Sequence, residues 1–465
     1  MAPRVAVVGG GISGAAAAYR LRVLLGSSAD IVLIEQCDRL GGKLYTGSLA
    51  GHDFDLGAEA FLARRPEALE LAGELGLPVV HPSGMRSALR AGGATVPLPA
   101  GTMLGVPATA DSVAGVLSAR GQRAVAAESS RSAPLLDGDI AVGTLLRERF
   151  DDELVDRLVD PLLGGVYAGG ADSLGLRATV PALASALDAG AESVTAAVAG
   201  LLPNTPSTAP VFGTLPGGLA QLVDRLAEMS RARQLLSRTV REICPTERGW
   251  RLQLGAAASA HAPAEPELLA DAVVLAVPAP AASKLLAPVL PDAATAFAGI
   301  ELASMAVIGL ALPPEVSLPE RAGILIGSGE RHADGTEFTA KAFTFSTRKW
   351  THYGTDAVLL RGSVGKFADT RALRYTDAEL VRLVRADLAE LTGIRDRPLD
   401  AVVKRWGGGL PQYSVGHLDR VQRIAESLTR QPTLAIAGAA LHGVGVPACI
   451  GTADAAARRV AGAVN

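Results

Sequence analysis

The chain has 465 residues, among them 52 glycines, and a formal net charge of −3 at pH 7. Its 49% hydrophobic and 20% charged residues exclude a disordered chain, and the length corresponds to roughly two to four domains. Because this charge balance gives no overall positive field, we expect no nucleic-acid partner.

Metal, disulfide and membrane signals are weak. The three cysteines lie far apart with no CxxC pair, which argues against a zinc site or a disulfide framework and favours a cytoplasmic protein. The seven histidines show neither HExxH nor HxH spacing, so we predict no metal site. No apolar run reaches the roughly 20 residues of a membrane span, and glycines interrupt the apolar start of the chain where a signal peptide would need a helix.

The first predicted elements are a strand, a glycine turn and a helix. Residues 4–8 (RVAVV) form the strand, and an Ala-rich helix follows over residues 15–25. In such a turn Gly9 permits the tight bend, Gly11 lets a pyrophosphate approach, and Gly14 allows close packing of helix on strand. A second strand, residues 31–34, ends at Glu35, where a carboxylate can accept ribose hydroxyl groups. The predicted dinucleotide contacts are Gly9, Gly10, Gly11, Ile12, Ser13, Gly14, Glu35 and Gln36.

A glycine-rich turn without any ligand is the alternative, and this turn alone does not decide between NAD and FAD. The following residues do: Gly41, Gly42 and Lys43 precede the segment FDLGAEA at residues 54–60. This arrangement resembles the second glycine pair of the FAD-dependent amine oxidase and desaturase superfamily, which usually ends in Arg. Lys keeps the charge but loses the bidentate fork of Arg. The resemblance implies that FAD contacts Lys43, Gly57, Ala58, Glu59 and Ala60.

The middle of the chain contains further predicted elements. We interpret residues 119–134 as a polar connection without chemistry. The segment GTLPGGL at residues 213–219 opens an amphipathic helix over residues 220–229, and strands follow at 237–243, 250–254 and 272–277. Residues 434–438 form a last buried strand, which a glycine loop at 443–451 joins to an Ala-rich helix. The N-terminus of that helix can stabilise negative charge.

Two internal motifs narrow the family. Residues 160–169 (DPLLGGVYAG) form one, and Arg405-Trp406, residues 410–413 (LPQY) and Gly416-His417 form the other. With the flavin motifs they resemble the protoporphyrinogen and coproporphyrinogen oxidases, especially the soluble Gram-positive and actinobacterial type, over essentially the whole chain. The resemblance adds Val240, Trp406, Val444, Gly445 and Val446 as FAD contacts and Arg86 and Gly169 as substrate contacts.

The reaction that this resemblance implies is an oxygen-dependent oxidation of coproporphyrinogen III to coproporphyrin III in haem biosynthesis. Six electrons leave the substrate in three rounds, each reducing one O2 to H2O2, and flavin N5 takes the hydride, so we name no catalytic side chain. Protoporphyrinogen IX is the alternative substrate. An amine oxidase or desaturase, and a non-catalytic binding module on the same scaffold, are further alternatives. The partners are the porphyrinogen and O2, with transient contact to a ferrochelatase or a membrane surface.

We therefore predict an α/β fold with α+β insertions and three domains. A Rossmann-like FAD-binding domain comprises residues 1–64, 206–288 and 400–465. A mixed-sheet substrate-binding domain comprises residues 65–85 and 289–399, and a largely helical domain comprises residues 86–205.

Overall fold

The computed structural model describes residues 2–132, 134–203, 209–256 and 266–464. Its first sheet has five parallel strands. In spatial order they are Arg233–Leu235, Asp30–Ile34, Arg4–Val8, Ala272–Leu275 and Leu434–Ile436. The inner strands are buried along almost their whole length, as expected of a parallel sheet that is covered on both faces.

Helices and a small sheet cover the two faces of this first sheet. One face packs on the helices Ile12–Leu25, Ala220–Ser230 and Val446–Val464. The other packs on an antiparallel sheet of Arg238–Thr246, Gly249–Ala256 and Glu267–Ala270 and on the helices Ala279–Leu286, Pro291–Ala298 and His417–Leu428. The predicted strands and helices of this unit are confirmed, with ends that differ by a few residues.

A second sheet has seven strands. In spatial order they are Asp400–Pro411, Leu302–Leu312, Val358–Val364, Ala340–Thr344, Gly323–Ile326, Ala88–Ala91 and Ala94–Pro97. Only the pair Gly323–Ile326 and Ala88–Ala91 is parallel among these. One face packs on the helix Asp377–Thr392, and the other meets the hairpin Thr46–Leu49 and His52–Asp55. The predicted α/β class, with a parallel sheet beside a mixed sheet, is confirmed.

A helical unit covers one end of the second sheet. Its elements are Ala119–Glu128, Val142–Arg149, Asp152–Leu154, a π-helical turn at Val155–Val159, Asp160–Tyr167, Leu176–Thr179, Pro181–Asp188 and Val194–Leu201. The remaining elements are the helix Pro66–Glu74, the short helices Asp111–Val113, Ser346–Lys349 and Arg371–Arg374, and the short strand pairs Phe61–Leu62 with Phe212–Gly213 and Thr102–Met103 with Val106–Pro107.

The predicted polar connection at residues 119–134 is wrong, because Ala119–Glu128 is a helix. The side chain of Ser118 caps it by accepting from the backbone of Gly121 at 3.3 Å. At its other end the carboxylate of Glu128 is fully buried and lies 2.7 Å from Nη2 of Arg149. The polar composition of this segment therefore reflects the exposed face of a helix, with Arg120 and Arg123 in solvent, while the buried ion pair of Glu128 holds its end.

The division into three domains stays a prediction. The strands of residues 88–97, which lie in the predicted helical range, belong to the second sheet. Asp400–Pro411 also belongs to this sheet, although its range was assigned to the FAD-binding domain. Among the described residues, no helix has the length and apolar character needed to cross a bilayer.

Candidate functional site

The glycine turn between the first strand and the first helix has the geometry of a phosphate cradle. Gly9 has φ +106°, and a Cβ at Gly14 would collide with the carbonyl oxygen of Gly9. Beside Gly11 there is space, since a Cβ there would meet only the Cα of Gly42, at 4.0 Å. The helix that starts at Ile12 has no side-chain cap at its N-terminus, so its first amides remain available to an anion.

Glu35 lies at the end of the second strand, beside this turn. Its Oε2 accepts from the backbone of Gly10 at 2.6 Å and its Oε1 from the backbone of Cys37 at 2.8 Å. A carboxylate has about four acceptor positions, so capacity remains for ribose hydroxyl groups. The carbonyl of Glu35 also accepts from Arg238 at 2.9 Å, which brings the strand of buried Val240 alongside. Gln36 is exposed.

The second glycine pair and the C-terminal helix complete the cradle from the other side. The backbone of Gly41 donates to the carbonyl of Gly10 at 2.9 Å. Lys43 keeps accessible surface, yet burial lowers its pKa despite the nearby thiol of Cys449, a combination typical of a side chain that lines a deep cleft. Cys449 lies in the first turn of Val446–Val464 and interacts with Ser13. Both ends of the chain therefore meet at one cleft.

A tyrosine anchors the loop that precedes the C-terminal helix. The hydroxyl of Tyr413 accepts from the backbone of Gly443 at 2.7 Å and donates to the carbonyl of Ala439 at 2.6 Å. The imidazole of His417 stacks on its ring, with 3.8 Å between centroids. These contacts fix the backbone immediately before Val444, Gly445 and Val446, of which Gly445 is exposed and Val446 is buried.

The segment of residues 57–60 lies between the first unit and the second sheet. The backbone of Ala58 donates to the carbonyl of Lys43 at 3.0 Å. The indole of Trp406 donates to the carbonyl of Leu56 at 2.8 Å, and its ring lies against Gly57. Ala60 follows Glu59 in the same partly buried stretch. The predicted contacts Gly57 and Trp406 are therefore neighbours in space, although they are distant in sequence.

The predicted contact Glu59 is part of an ion cluster that the sequence did not indicate. Its carboxylate accepts from Nζ of Lys349 at 3.0 Å and from the indole of Trp350 at 2.5 Å, and it lies 3.5 Å from Nε of Arg361. Burial alone would raise the pKa of Glu59, but the charges of Lys349 and Arg361 lower it to about 2. The only sequence signal for Arg361 is a charged residue inside the apolar strand Val358–Val364.

Asp55 lies two residues before this segment, and its pKa shifts in the opposite direction to that of Glu59. Burial raises its pKa to about 7, although Thr46 and the backbone of Leu219 donate to it and Arg361 lies nearby. These contacts tie the segment to the start of the helix Ala220–Ser230. Through these contacts Asp55 fixes the position of the adjacent residues 57–60.

The two predicted substrate contacts are placed differently. Arg86 is exposed on the loop before Ala88–Ala91, and its carbonyl accepts from Ala322 at 3.0 Å. Gly169 is buried, and a Cβ there would collide with Oε1 of Gln412. Packing against Gln412 thus accounts for glycine at this position, and contact with a substrate at either residue stays a prediction.

The arrangement fits a dinucleotide cofactor. The amides of the first helix and the space at Gly11 suit a pyrophosphate, and Glu35 suits a ribose. The ring system of such a cofactor, beyond its pyrophosphate and ribose, can then extend toward Lys43, Trp406 and the C-terminal helix. Among residues 2–132, 134–203, 209–256 and 266–464, no group of three or more His, Cys, Asp or Glu side chains is placed to hold a metal ion.

Comparisons with known proteins identify the family and the fold of the chain. Residues 12–461 match the family described as flavin containing amine oxidoreductase. The coproporphyrinogen III oxidase of Mycobacterium tuberculosis is 42% identical over 469 residues, covering 100% of this chain and 99% of the relative. The protoporphyrinogen oxidase of Bos taurus is 27% identical, covering 99% of each chain. A crystal structure from Exiguobacterium sp. 255-15 superposes with a TM-score of 0.85 at 28% identity, covering 99% of each chain.

Proposed function

The chain belongs to the flavin containing amine oxidoreductase family, and from this premise we propose that it is an FAD-dependent oxidase that converts coproporphyrinogen III to coproporphyrin III. The observation that carries the choice of substrate is the 42% identity, over the whole chain, to a coproporphyrinogen III oxidase. Bound FAD would supply the redox chemistry, the transfer of electrons from the porphyrinogen to oxygen, so the protein itself has to bind and orient the cofactor and the porphyrinogen.

Different residues of the cleft would hold different parts of FAD. The turn at residues 9–14 and the first helix hold the pyrophosphate, and Glu35 holds the ribose. The anchored loop and the C-terminal helix would hold the ring with their backbone amides, since a helix N-terminus stabilises negative charge. Lys43 adds a positive charge to the same cleft, and the segment of residues 57–60 passes along its side.

The overall reaction removes six hydrogen atoms from coproporphyrinogen, and three O2 take them up as three H2O2. No protein side chain needs to form a bond with the substrate, since the cofactor supplies the redox chemistry. We propose a cytoplasmic place for this reaction, which the free cysteines Cys37, Cys244 and Cys449 support. Transient contact with a ferrochelatase or a membrane surface, to pass on the product, stays a prediction.

Comparison of two substrates tests the assignment. The purified protein should be yellow, and at equal limiting concentrations it should oxidise coproporphyrinogen III faster than protoporphyrinogen IX and release peroxide. Protoporphyrinogen IX is the second candidate, because the bovine relative is named for it. Faster oxidation of protoporphyrinogen IX would overturn the choice of substrate. A colourless protein that takes up no FAD would favour a binding module without redox activity.

The exposed guanidinium of Arg86 is proposed to bind a propionate at the rim of the substrate site. Arg86→Ala should raise the KM for coproporphyrinogen III several-fold while the flavin content stays that of the wild type. Arg123→Ala, which removes another arginine from an exposed helix surface, is the control and should change neither value. An unchanged KM in Arg86→Ala would place Arg86 among ordinary surface residues.

A further inference from the structure

Lys341 points from the second sheet toward the helical unit. It lies on the strand Ala340–Thr344, and its Nζ donates to the carbonyl of Gly164, at 3.3 Å, on the helix Asp160–Tyr167. That carbonyl also accepts from the backbone of Ala168 at 3.1 Å. Within the described parts of the chain, no carboxylate lies within ion-pair distance of the Lys341 ammonium. At least two of its three N–H donors are therefore without a protein acceptor there.

The neighbouring carboxylate is already paired with another lysine. Oδ2 of Asp160 lies 2.8 Å from Nζ of Lys366 and also accepts from the hydroxyl of Ser328, while Oδ1 accepts from the backbone of Ala171 at 2.8 Å. Burial lowers the pKa of Lys341 to about 8, and the charge of Lys366 adds to this effect. At pH 7 the group formed by Lys341, Lys366 and Asp160 therefore holds two ammonium ions and one carboxylate, so one positive charge is in excess.

Space lies next to this excess charge. The helix Asp160–Tyr167 carries Gly165 and Val166 directly after the carbonyl that Lys341 contacts, and both are exposed, Val166 to 45%. A Cβ at Gly165 would meet only the side chain of Leu325, at 3.8 Å. An ammonium beside aliphatic surface suits a ligand with a large apolar body and peripheral carboxylates.

We propose that Lys341 binds a carboxylate of the substrate, and, because this rests on the proposed function, that the carboxylate is a propionate of coproporphyrinogen III. Because Asp160 is already paired with Lys366, the propionate would supply the negative charge that the ammonium of Lys341 lacks. Lys341 lies within residues 289–399, the predicted substrate-binding range, which is the sequence signal for it.

Binding of the air-stable product tests this without turnover. Coproporphyrin III and its uncharged tetramethyl ester are titrated, in one detergent-containing buffer, into FAD-loaded wild type, Lys341→Met, Lys341→Arg and Lys284→Met. Lys284→Met removes the same charge from an exposed position and is the matched control. We expect Lys341→Met to bind coproporphyrin about tenfold more weakly, the loss of one charge-assisted contact. Lys341→Arg and Lys284→Met should stay within about threefold of the wild type.

The ester separates charge recognition from packing. All four proteins should bind it with equal affinity, and the flavin content of Lys341→Met should match that of the wild type. Equal affinity of wild type and Lys341→Met for coproporphyrin would overturn the inference, as would an equal loss for acid and ester. If Lys341→Met does not fold, Lys341→Gln takes its place under the same two criteria. A wild type that neither binds coproporphyrin nor oxidises coproporphyrinogen would instead contradict the proposed function itself.

Discussion

Asp55 and Glu59 lie close together in one segment, yet their surroundings shift their pKa values in opposite directions. Glu59 has Lys349 and Arg361 beside it and stays ionised, with a pKa of about 2. Asp55 has hydrogen-bond donors but no cation in ion-pair contact among the described residues, so burial dominates and raises its pKa to about 7. The charge of each carboxylate thus depends on residues that are remote in sequence.

The raised pKa of Asp55 predicts a pH dependence of stability. Between about pH 4 and 7 the folded protein holds a proton that the unfolded chain releases, so the free energy of unfolding falls as pH rises through this window. Asp55→Asn cannot titrate. From pH 5 to pH 8, the free energy of unfolding of the wild type should therefore fall by about 2–3 kcal/mol relative to that of Asp55→Asn.

Urea unfolding at several pH values measures that difference. Asp53→Asn changes an exposed carboxylate on the same strand and serves as the control. A constant difference between wild type and Asp55→Asn across this range would show that Asp55 is ionised throughout.

Glu35 is the residue whose role in cofactor binding is most direct to test. Glu35→Ala removes the proposed acceptor for the ribose and also the acceptor for the backbone of Gly10. The affinity of the apoprotein for FAD should fall by about 1–3 kcal/mol. Flavin fluorescence titration measures it, with Glu70→Ala as an exposed control. An affinity equal to that of the wild type would remove Glu35 from the cofactor site.

At the scale of elements, single buried polar groups hold a helix and a loop in place. Glu128 is fully buried and accepts from Arg149 and from the backbone of Val194 and Thr195 at the start of Val194–Leu201. Tyr413 ties the loop before the C-terminal helix to the end of the second sheet. Each group joins elements that are distant in sequence.

Glu128→Gln should destabilise the helical unit strongly. The change leaves the guanidinium of Arg149, whose side chain is 6% exposed, without its negative partner. Loss of one partner of a buried ion pair costs about 3–5 kcal/mol. Urea unfolding measures the cost, and Glu148→Gln, on a neighbouring helix, is the control. A change below about 1 kcal/mol, the usual limit for an exposed pair, would contradict this account.

Tyr413→Phe tests whether the loop position matters for the cofactor. The phenylalanine keeps the stack on His417 but loses the hydrogen bonds to Gly443 and Ala439. We expect FAD to dissociate faster, with an affinity lower by about 1–2 kcal/mol. Tyr375→Phe changes an exposed tyrosine and should leave the affinity unchanged. Equal FAD dissociation rates in wild type and Tyr413→Phe would show that the hydrogen bonds of the Tyr413 hydroxyl do not contribute to FAD binding.

At the scale of the whole molecule, the cofactor cleft joins the first residues to the last. The helices Ile12–Leu25 and Val446–Val464 pack together on one face of the first sheet, and Ser13 meets Cys449 at their N-termini. The second sheet contributes Trp406, and through Lys349 and Arg361 it also fixes Glu59. We therefore expect a ligand in this cleft to contact parts of the chain from all along its length.

FAD should consequently stabilise the entire fold. A ligand that binds only the folded state adds about 2.7 kcal/mol at a concentration of 100 Kd, so the Tm of the apoprotein should rise with FAD concentration. Differential scanning fluorimetry at increasing FAD measures this. AMP, which carries the ribose but lacks the flavin ring, is the matched ligand control and should raise the Tm less. A Tm that does not depend on FAD would contradict a cofactor site shared by both ends.

Local spacing was sufficient for the turn and the strands of the first sheet, and the resemblance of several motifs implied the flavin family; all of these are confirmed. A tight turn, a buried strand and a helix start depend on neighbouring residues, so a single sequence carries their signals. The helix Ala119–Glu128 was misread from its polar composition, although Ser118 caps it locally; only the pairing of Glu128 with Arg149 lies outside any local window.

The sequence by itself therefore determined the glycine turn and the class of fold, while the tertiary structure decided which charges meet. Glu59 with Lys349, Asp160 with Lys366, and the ammonium of Lys341 left without a carboxylate among the described residues all depend on how the second sheet packs against the other units. Their separation along the chain is large, and only the packed fold creates the low-dielectric surroundings in which such charges attract strongly enough to offset their desolvation.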